Sequence, residues 1–205
     1  RLIEAIPEAE AKTSIANCGI DLDAFAPLES EPARRQLGWQ GDGPAFLCVG
    51  SLIERKNVVR LADAFERFGR GRLAFVGDGP LREKLEGRDG VTVVGRIPQA
   101  DVPRWVAACD VLCQPSLTEP FGQATLEGMA MERSVVATRV GGPPEFVPAA
   151  AGVLVDPEDE AAIAEALHRA AGLPTPNREA REAAAQHDVR VTVGRMLEAL
   201  QAARR

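Results

Sequence analysis

The chain has 205 residues, enough for one ordinary domain with extensions or for one half of a two-domain enzyme. Hydrophobic residues make up 45% and charged residues 26%, the balance of a soluble globular protein whose core can form without disulfides or metals. With 30 Asp and Glu against 24 Lys and Arg the net charge is -6, which excludes the broad basic footprint of a nucleic-acid binder and leaves any anionic ligand to a local site.

The sequence begins at Arg1 rather than Met and shows no signal-peptide pattern, so it is read as processed or as a piece of something longer. No apolar run approaches the roughly 20 residues that a membrane-spanning helix needs. The first strong element is 45–49, apolar throughout, as a strand buried on both faces should be. A helical pattern follows at 58–68, with Leu61, Ala64, Phe65 and Phe68 at i, i+3, i+4 and i+7. Next come a strand at 73–76, a helix at 80–85 with Pro80 in its first turn, and a strand at 91–94. A helix at 101–109, a strand at 111–113, a helix at 123–131 and a strand at 134–137 continue the alternation. A last strand at 152–155 leads into a helix at 158–171. Residues 173–177 are the clearest loop, and 189–203 form an amphipathic helix with Val193, Met196, Leu197 and Leu200 on one side. Short apolar strands alternating with helices imply a doubly wound α/β domain with a parallel sheet. In such folds ligands bind beyond the C-terminal ends of the strands, so the loops after each strand carry the functional expectation.

Cys18, Cys48, Cys109 and Cys113 form no C-x-x-C pair and have no histidine nearby, so no metal site is expected and they are read as small apolar residues in strands and helices. His168 and His187 fall in Ala-rich helical stretches and are read as solvated helix positions.

Four loops remain. Gly50-Ser51-Leu52-Ile53-Glu54-Arg55-Lys56-Asn57 follows the first strand and places two cations just before a helix, an arrangement suited to a diphosphate. Taken alone it reads better as a solvated basic turn, and it lacks the G-x-G-x-x-G dinucleotide fingerprint. Gly77-Asp78-Gly79-Pro80 reads best as a tight turn. The stretch from Pro115 to Glu127 is the most informative. Pro120 biases Glu119 toward extended backbone, and Gly122 opens a helix whose free amides and dipole favour an anion. Glu127 falls about one turn further in, and a carboxylate can accept from both vicinal hydroxyls of a sugar or ribose. Spacing alone leaves open that Glu119 is a loop charge and Glu127 a helix-surface charge. Val140-Gly141-Gly142-Pro143-Pro144-Glu145-Phe146 adds a glycine turn on the same edge, where Glu145 faces either the ligand or the helix dipole.

Taken together, V-G-S-L-I-E-R-K-N at 49–57, G-D-G-P-L-R-E at 77–83, P-S-L-T-E-P-F-G-Q-A-T-L-E-G-M-A at 115–130, V-V-A-T-R-V-G-G-P-P-E at 135–145 and G-V-L-V-D-P at 152–157 resemble glycosyltransferase family 4, of the GT-B fold. The motifs stand in family order over nearly the whole chain. The resemblance implies the C-terminal, donor-binding domain of a two-domain enzyme. Residues 1–20 would be the tail of an N-terminal acceptor domain and the interdomain linker, and 21–187 the Rossmann-like nucleotide-sugar domain. Residues 188–205 would hold the helix that packs back on the N-terminal domain.

By the same resemblance Lys56 would bind the donor diphosphate, with Arg55 standing in for the arginine that many relatives carry where this sequence has Ser51. Glu119 would hold the donor-sugar hydroxyls, Phe121, Gly122, Gln123 and Ala124 would offer backbone amides, and Glu127 would hold the ribose. Gly50 and Ile97 would line the nucleotide site, Ile97 near the base. The implied donor is a UDP-, GDP- or ADP-sugar, with no cofactor and no metal, and the reaction retains anomeric configuration. The acceptor would be a sugar, lipid or small molecule. The implied setting is cytoplasmic, with peripheral membrane association of the full enzyme left open. A GT-B epimerase, a non-catalytic nucleotide-binding module and an NAD-dependent Rossmann protein are the alternatives. The first would need acid/base residues near the loops, and the last lacks its glycine fingerprint.

Overall fold

The computed structural model describes residues 18–202 of the chain. Six strands, β1 (Ala45–Val49), β2 (Arg72–Val76), β3 (Val91–Gly95), β4 (Val111–Gln114), β5 (Ser134–Thr138) and β6 (Gly152–Val155), form one sheet in the order β3-β2-β1-β4-β5-β6. All five pairings are parallel. Strand periodicity divides the side chains between two cores. In β1, Ala45 and Leu47 enter one core while Phe46 and Cys48 enter the other.

Among the described residues the helices are α1 (Ser30–Leu37), α2 (Val58–Phe68), α3 (Val102–Ala108), α4 (Gln123–Ala130), α5 (Glu160–Ala171), α6 (Arg178–Ala185) and α7 (Val189–Ala202). Buried residues of α2 and α5 pack on the Phe46 side, and those of α1, α3, α4 and α6 on the Leu47 side. The apolar spacing read for 58–68 is the buried face of α2, with Leu61, Ala64, Phe65 and Phe68 all buried. Phe46 is wholly buried. It meets Phe65 and Phe68 edge-on at 5.9 and 5.2 Å, so its truncation to alanine is expected to cost about 3–5 kcal/mol. Asp159 caps α5 by accepting from the Ala162 amide at 2.9 Å, and Asn177 caps α6 through Ala180 at 3.1 Å.

Every strand lies within about one residue of its expected span. The differences are elsewhere. Between β2 and β3 there is a 3-10 turn at Arg82–Lys84 instead of a helix at 80–85. Leu81 and Leu85 still bury, but the backbone bonds run i to i+3, from Arg82 to Gly79, Lys84 to Leu81 and Leu85 to Arg82, and Gly87 and Gly90 turn the chain at φ 78° and 67° before β3. The helix α1 was not anticipated, and α6 was read only as an Ala-rich helical stretch near His187, without its bounds. Only Ala33 is buried in α1, with Leu37 partly buried at its end, and only Ala180 and Ala184 in α6, so neither carries the row of large apolar side chains that announces a helix face. The last helix forms, but Val193, Met196, Leu197 and Leu200 are exposed. Cys48, Cys109 and Cys113 are buried as expected, whereas Cys18 is exposed. Of the expected tail and linker over residues 1–20, residues 1–17 lie outside the described residues. Ile20 is tied to the start of α7, donating to the His187 carbonyl at 2.8 Å and accepting from the Val189 amide at 3.0 Å. No helix among the described residues is long and apolar enough to cross a membrane.

Candidate functional site

The strand order reverses direction between β1 and β4, so the loops that leave these neighbouring strands run to opposite sides and open a crevice at the C-terminal edge. The two most informative sequence segments fall there. Residues 50–57 follow β1, and 115–122 follow β4 and lead into α4.

Across this crevice Lys56 Nζ stands 2.6 Å from Glu119 Oε2, with both side chains largely buried. Ser116, fully buried, donates its hydroxyl to the same oxygen at 3.1 Å. The ion pair offsets the cost of taking each charge out of water. It also leaves Glu119 Oε1 and two of the three ammonium donors uncommitted among the described contacts. Glu119 is held along its backbone as well. Its amide donates to Val140 at 3.1 Å, and its carbonyl accepts from Gly142 at 2.9 Å. Gly141 makes this approach possible, since a Cβ there would lie 2.0 Å from the Glu119 carbonyl oxygen and its φ is 108°.

Arg55 lies beside Lys56 in the Glu54–Lys56 turn. Its guanidinium donates to the Thr118 carbonyl at 3.0 Å, and its own carbonyl accepts from the Leu117 amide at 2.9 Å. Arg55 therefore straps the two loops together, while the exposed remainder of its fork faces solvent.

Gly122 caps α4 with φ 102°, and a Cβ there would press to 3.0 Å on the Phe146 ring. No side chain caps this helix, so the amides that open it at Gln123 and Ala124 are available to an anion. Phe121 is half-buried, its ring 5.9 Å from Phe146. Gln123 is exposed and reaches the Gly19 carbonyl at 3.4 Å. Glu127, one turn into α4, is not the surface charge that spacing alone left open. It is 7% exposed and joins no ion pair among the described residues. Burial raises its carboxyl to a pKa of about 7, with a side-chain hydrogen bond from Gln123 working in the opposite direction.

Gly50 lies under the Lys56 stem, and Ser51 is exposed beside it. Ile97, past β3 on the same edge, is partly buried against the Leu47-side core, two strands out from β1. The Gly77–Pro80 turn packs on the β1 loop through the Leu52 amide, which donates to Asp78 at 2.9 Å. Glu145 is exposed in the turn after Gly142. His187 departs from its expected solvated helix position. It sits in the turn between α6 and α7, half-buried with its ring 5.6 Å from Phe146, and burial lowers its pKa. His168 is exposed on α5, as read. Among the described residues no group of three His, Cys, Asp or Glu side chains comes together as a metal site. A cleft of about 380 Å³ lined by Leu28, Glu132 and Pro176 lies at the opposite end of the sheet, before β5, and shares no residue with the crevice.

Sequence reasoning did not single out Ser116. The i, i+3 spacing of Ser116 and Glu119 was the available signal, and it carries weight only once both are known to be buried.

Residues 43–172 match the family model described as glycosyl transferases group 1. The sulfoquinovosyl transferase SQD2 of Arabidopsis thaliana is 32% identical over 72% of this chain and 30% of its own length. The GDP-mannose-dependent alpha-(1-6)-phosphatidylinositol monomannoside mannosyltransferase of Mycolicibacterium smegmatis is 34% identical over 73% of this chain and 44% of its own length. The chain thus spans less than half the length of these curated relatives. Among solved structures, the sucrose-phosphate synthase of Thermosynechococcus elongatus aligns with a TM-score of 0.81 and 31% identity, over 93% of this chain and 53% of that one. The Anabaena protein HepE in complex with UDP-glucose aligns at 0.75 and 25%, over 90% of this chain and 56% of that one.

Proposed function

This chain belongs to the group 1 glycosyl transferases, and on that footing we propose that it holds the nucleoside-diphosphate-sugar donor for a retaining, metal-independent glycosyl transfer. The observation that carries the reading is the meeting of Lys56 and Glu119 at 2.6 Å beside the uncapped start of α4, at the sheet's switch point. A cation, free helix amides and a buried carboxylate in one crevice suit a ligand that joins a diphosphate to a polyhydroxylated ring.

In this reading Lys56 turns part of its donor capacity to the diphosphate, and the free fork of Arg55 assists from the rim. The Gln123 and Ala124 amides take further phosphate or sugar oxygens, Glu119 orients the sugar hydroxyls, and Glu127 takes the ribose diol. Gly50 and Ser51 form the floor near the phosphates, and Ile97 lies toward the base. Transfer breaks the bond between the anomeric carbon and the diphosphate oxygen, forms the bond to the acceptor oxygen, and passes the acceptor proton to the departing phosphate. The protein's part is to position the sugar and stabilise the charge that builds on the diphosphate. Glu119 is a positioning residue, and no general base is assigned.

The acceptor, a sugar, lipid or small molecule, is proposed to come from a second domain. The relatives' greater length supports this, and the exposed apolar face of α7 is proposed to pack on that domain. Residues 1–205 alone are then expected to bind the donor and not to turn it over. A thermal-shift panel of UDP, GDP, ADP and NAD tests the reading, because a ligand specific for the folded state raises its midpoint. At least one diphosphate should raise it. Stabilisation by NAD alone would overturn the reading.

A further inference from the structure

The loops that carry Lys56 and Glu119 leave neighbouring strands and run to opposite sides at the switch point, so their separation has to be held. The ion pair spans it, but in the donor-binding reading both of its groups are partly redirected to the donor. Asn57, the next residue, makes bonds that a donor would not compete for. It is 7% exposed, and its side-chain amide donates to the Pro115 carbonyl at 2.9 Å and to the Pro157 carbonyl at 2.7 Å. Its side-chain oxygen accepts from Arg60 at 2.9 Å, and the same guanidinium reaches the Pro157 carbonyl at 2.9 Å. One buried side chain, with both of its polar atoms engaged, therefore joins the loops after β1, β4 and β6. The backbone of Asn57 is left-handed, at φ 57° and ψ 31°. Glycine would satisfy that conformation at lower cost, so the asparagine is explained by its side chain.

We infer that Asn57 is a positioning residue that sets the gap between the Lys56 and Glu119 loops, so that both side chains address one donor. The consequence for affinity rests on the donor-binding reading, and the clamp itself does not. Two variants separate them. Asn57→Gly keeps the left-handed backbone and deletes the clamp. Asn57→Asp keeps the shape but turns two donated bonds into carboxylate facing carbonyl.

In the unliganded protein, hydrogen exchange is followed at the Leu117 and Glu119 amides, which bond Arg55 at 2.9 Å and Val140 at 3.1 Å. Both should exchange about tenfold faster in Asn57→Gly, with the Val135 amide of β5 unchanged. UDP, GDP and ADP are then titrated against wild type, Asn57→Gly, Lys56→Met and the double variant. Asn57→Gly should weaken whichever nucleotide binds by about tenfold, and that loss should vanish in the Lys56→Met background.

A lowered midpoint with unchanged affinity would make Asn57 merely structural and overturn the inference, as would equal exchange at both amides. If none of the three nucleotides binds wild type, the donor reading falls and the exchange arm still decides the clamp. Should Asn57→Gly fail to fold, Asn57→Asp carries both arms with the same expected directions.

Discussion

Glu127 offers a prediction in which stability and binding move in opposite directions. Burial holds its carboxyl at a pKa of about 7 against 4.5 for the unperturbed group. Between these values the folded chain binds more protons than the unfolded one, so stability falls as pH rises through this window. Below pH 4.5 both states carry the proton and nothing is lost. Above pH 7 both have released it, and the full deficit is present. The shift from 4.5 to about 7 corresponds to a deficit on the order of 3 kcal/mol. Replacing Glu127 with glutamine keeps the shape and removes the charge. The variant should match wild type near pH 4.5 and gain steadily to about 3 kcal/mol at pH 8, roughly 6–12 °C in Tm for a chain of this size. Chemical unfolding of both proteins at half-unit intervals from pH 4.5 to 8 measures the difference directly. Donor binding should show the reverse. Wild-type affinity should rise through pH 7 as the carboxylate forms, while the glutamine variant binds more weakly at pH 8 and shows no such rise. A stability difference independent of pH, or a glutamine variant less stable than wild type at pH 8, would refute the reasoning.

Three further expectations concern the crevice and its frame. Lys56→Met removes the cation proposed for the diphosphate and leaves Glu119 buried without its partner, so nucleotide affinity should fall at least tenfold and stability by about 3–5 kcal/mol, read by calorimetric titration and chemical unfolding. Adding Glu119→Gln to Lys56→Met should restore much of that stability without restoring affinity. Gly141→Ala would force a Cβ to within 2.0 Å of the Glu119 carbonyl, so it should lower Tm and weaken nucleotide binding together, whereas Phe46→Ala should lower stability alone. Titration of each variant at a temperature where it remains folded separates these outcomes.

Most of the fold could be read from residues because its strands, apart from the partly exposed edge strand β3, are buried on both faces and therefore appear as unbroken apolar runs between turn residues. The second helix was equally plain, since Leu61, Phe65 and Phe68 mark its face with large side chains. Ala33, Ala180 and Ala184 leave too little apolar contrast, which is why the first helix went unread and α6 was seen only as an Ala-rich stretch without bounds. The candidate loops could be placed on the sheet, because in an open parallel sheet the strand-end loops lie at one edge. How their side chains meet could not be read. Lys56 and Glu119 are 63 residues apart, and only the reversal of strand order between β1 and β4 makes them neighbours. The burial of Glu127 depends on how α4 seats on the sheet, and the strap made by Arg55 depends on a carbonyl direction that residue type does not encode. His187 shows the same limit, since its environment is set by Phe146, distant in sequence.

A crystal structure of the chain with whichever of UDP, GDP or ADP stabilises it most tests donor binding at the switch point most directly. Its β-phosphate should lie within hydrogen-bond distance, about 2.7–3.2 Å, of Lys56 Nζ and of the amides that open α4, with the ribose hydroxyls on Glu127. A diphosphate bound elsewhere, such as the cleft by Leu28, Glu132 and Pro176, with the crevice empty and the Lys56–Glu119 pair undisturbed, would contradict it.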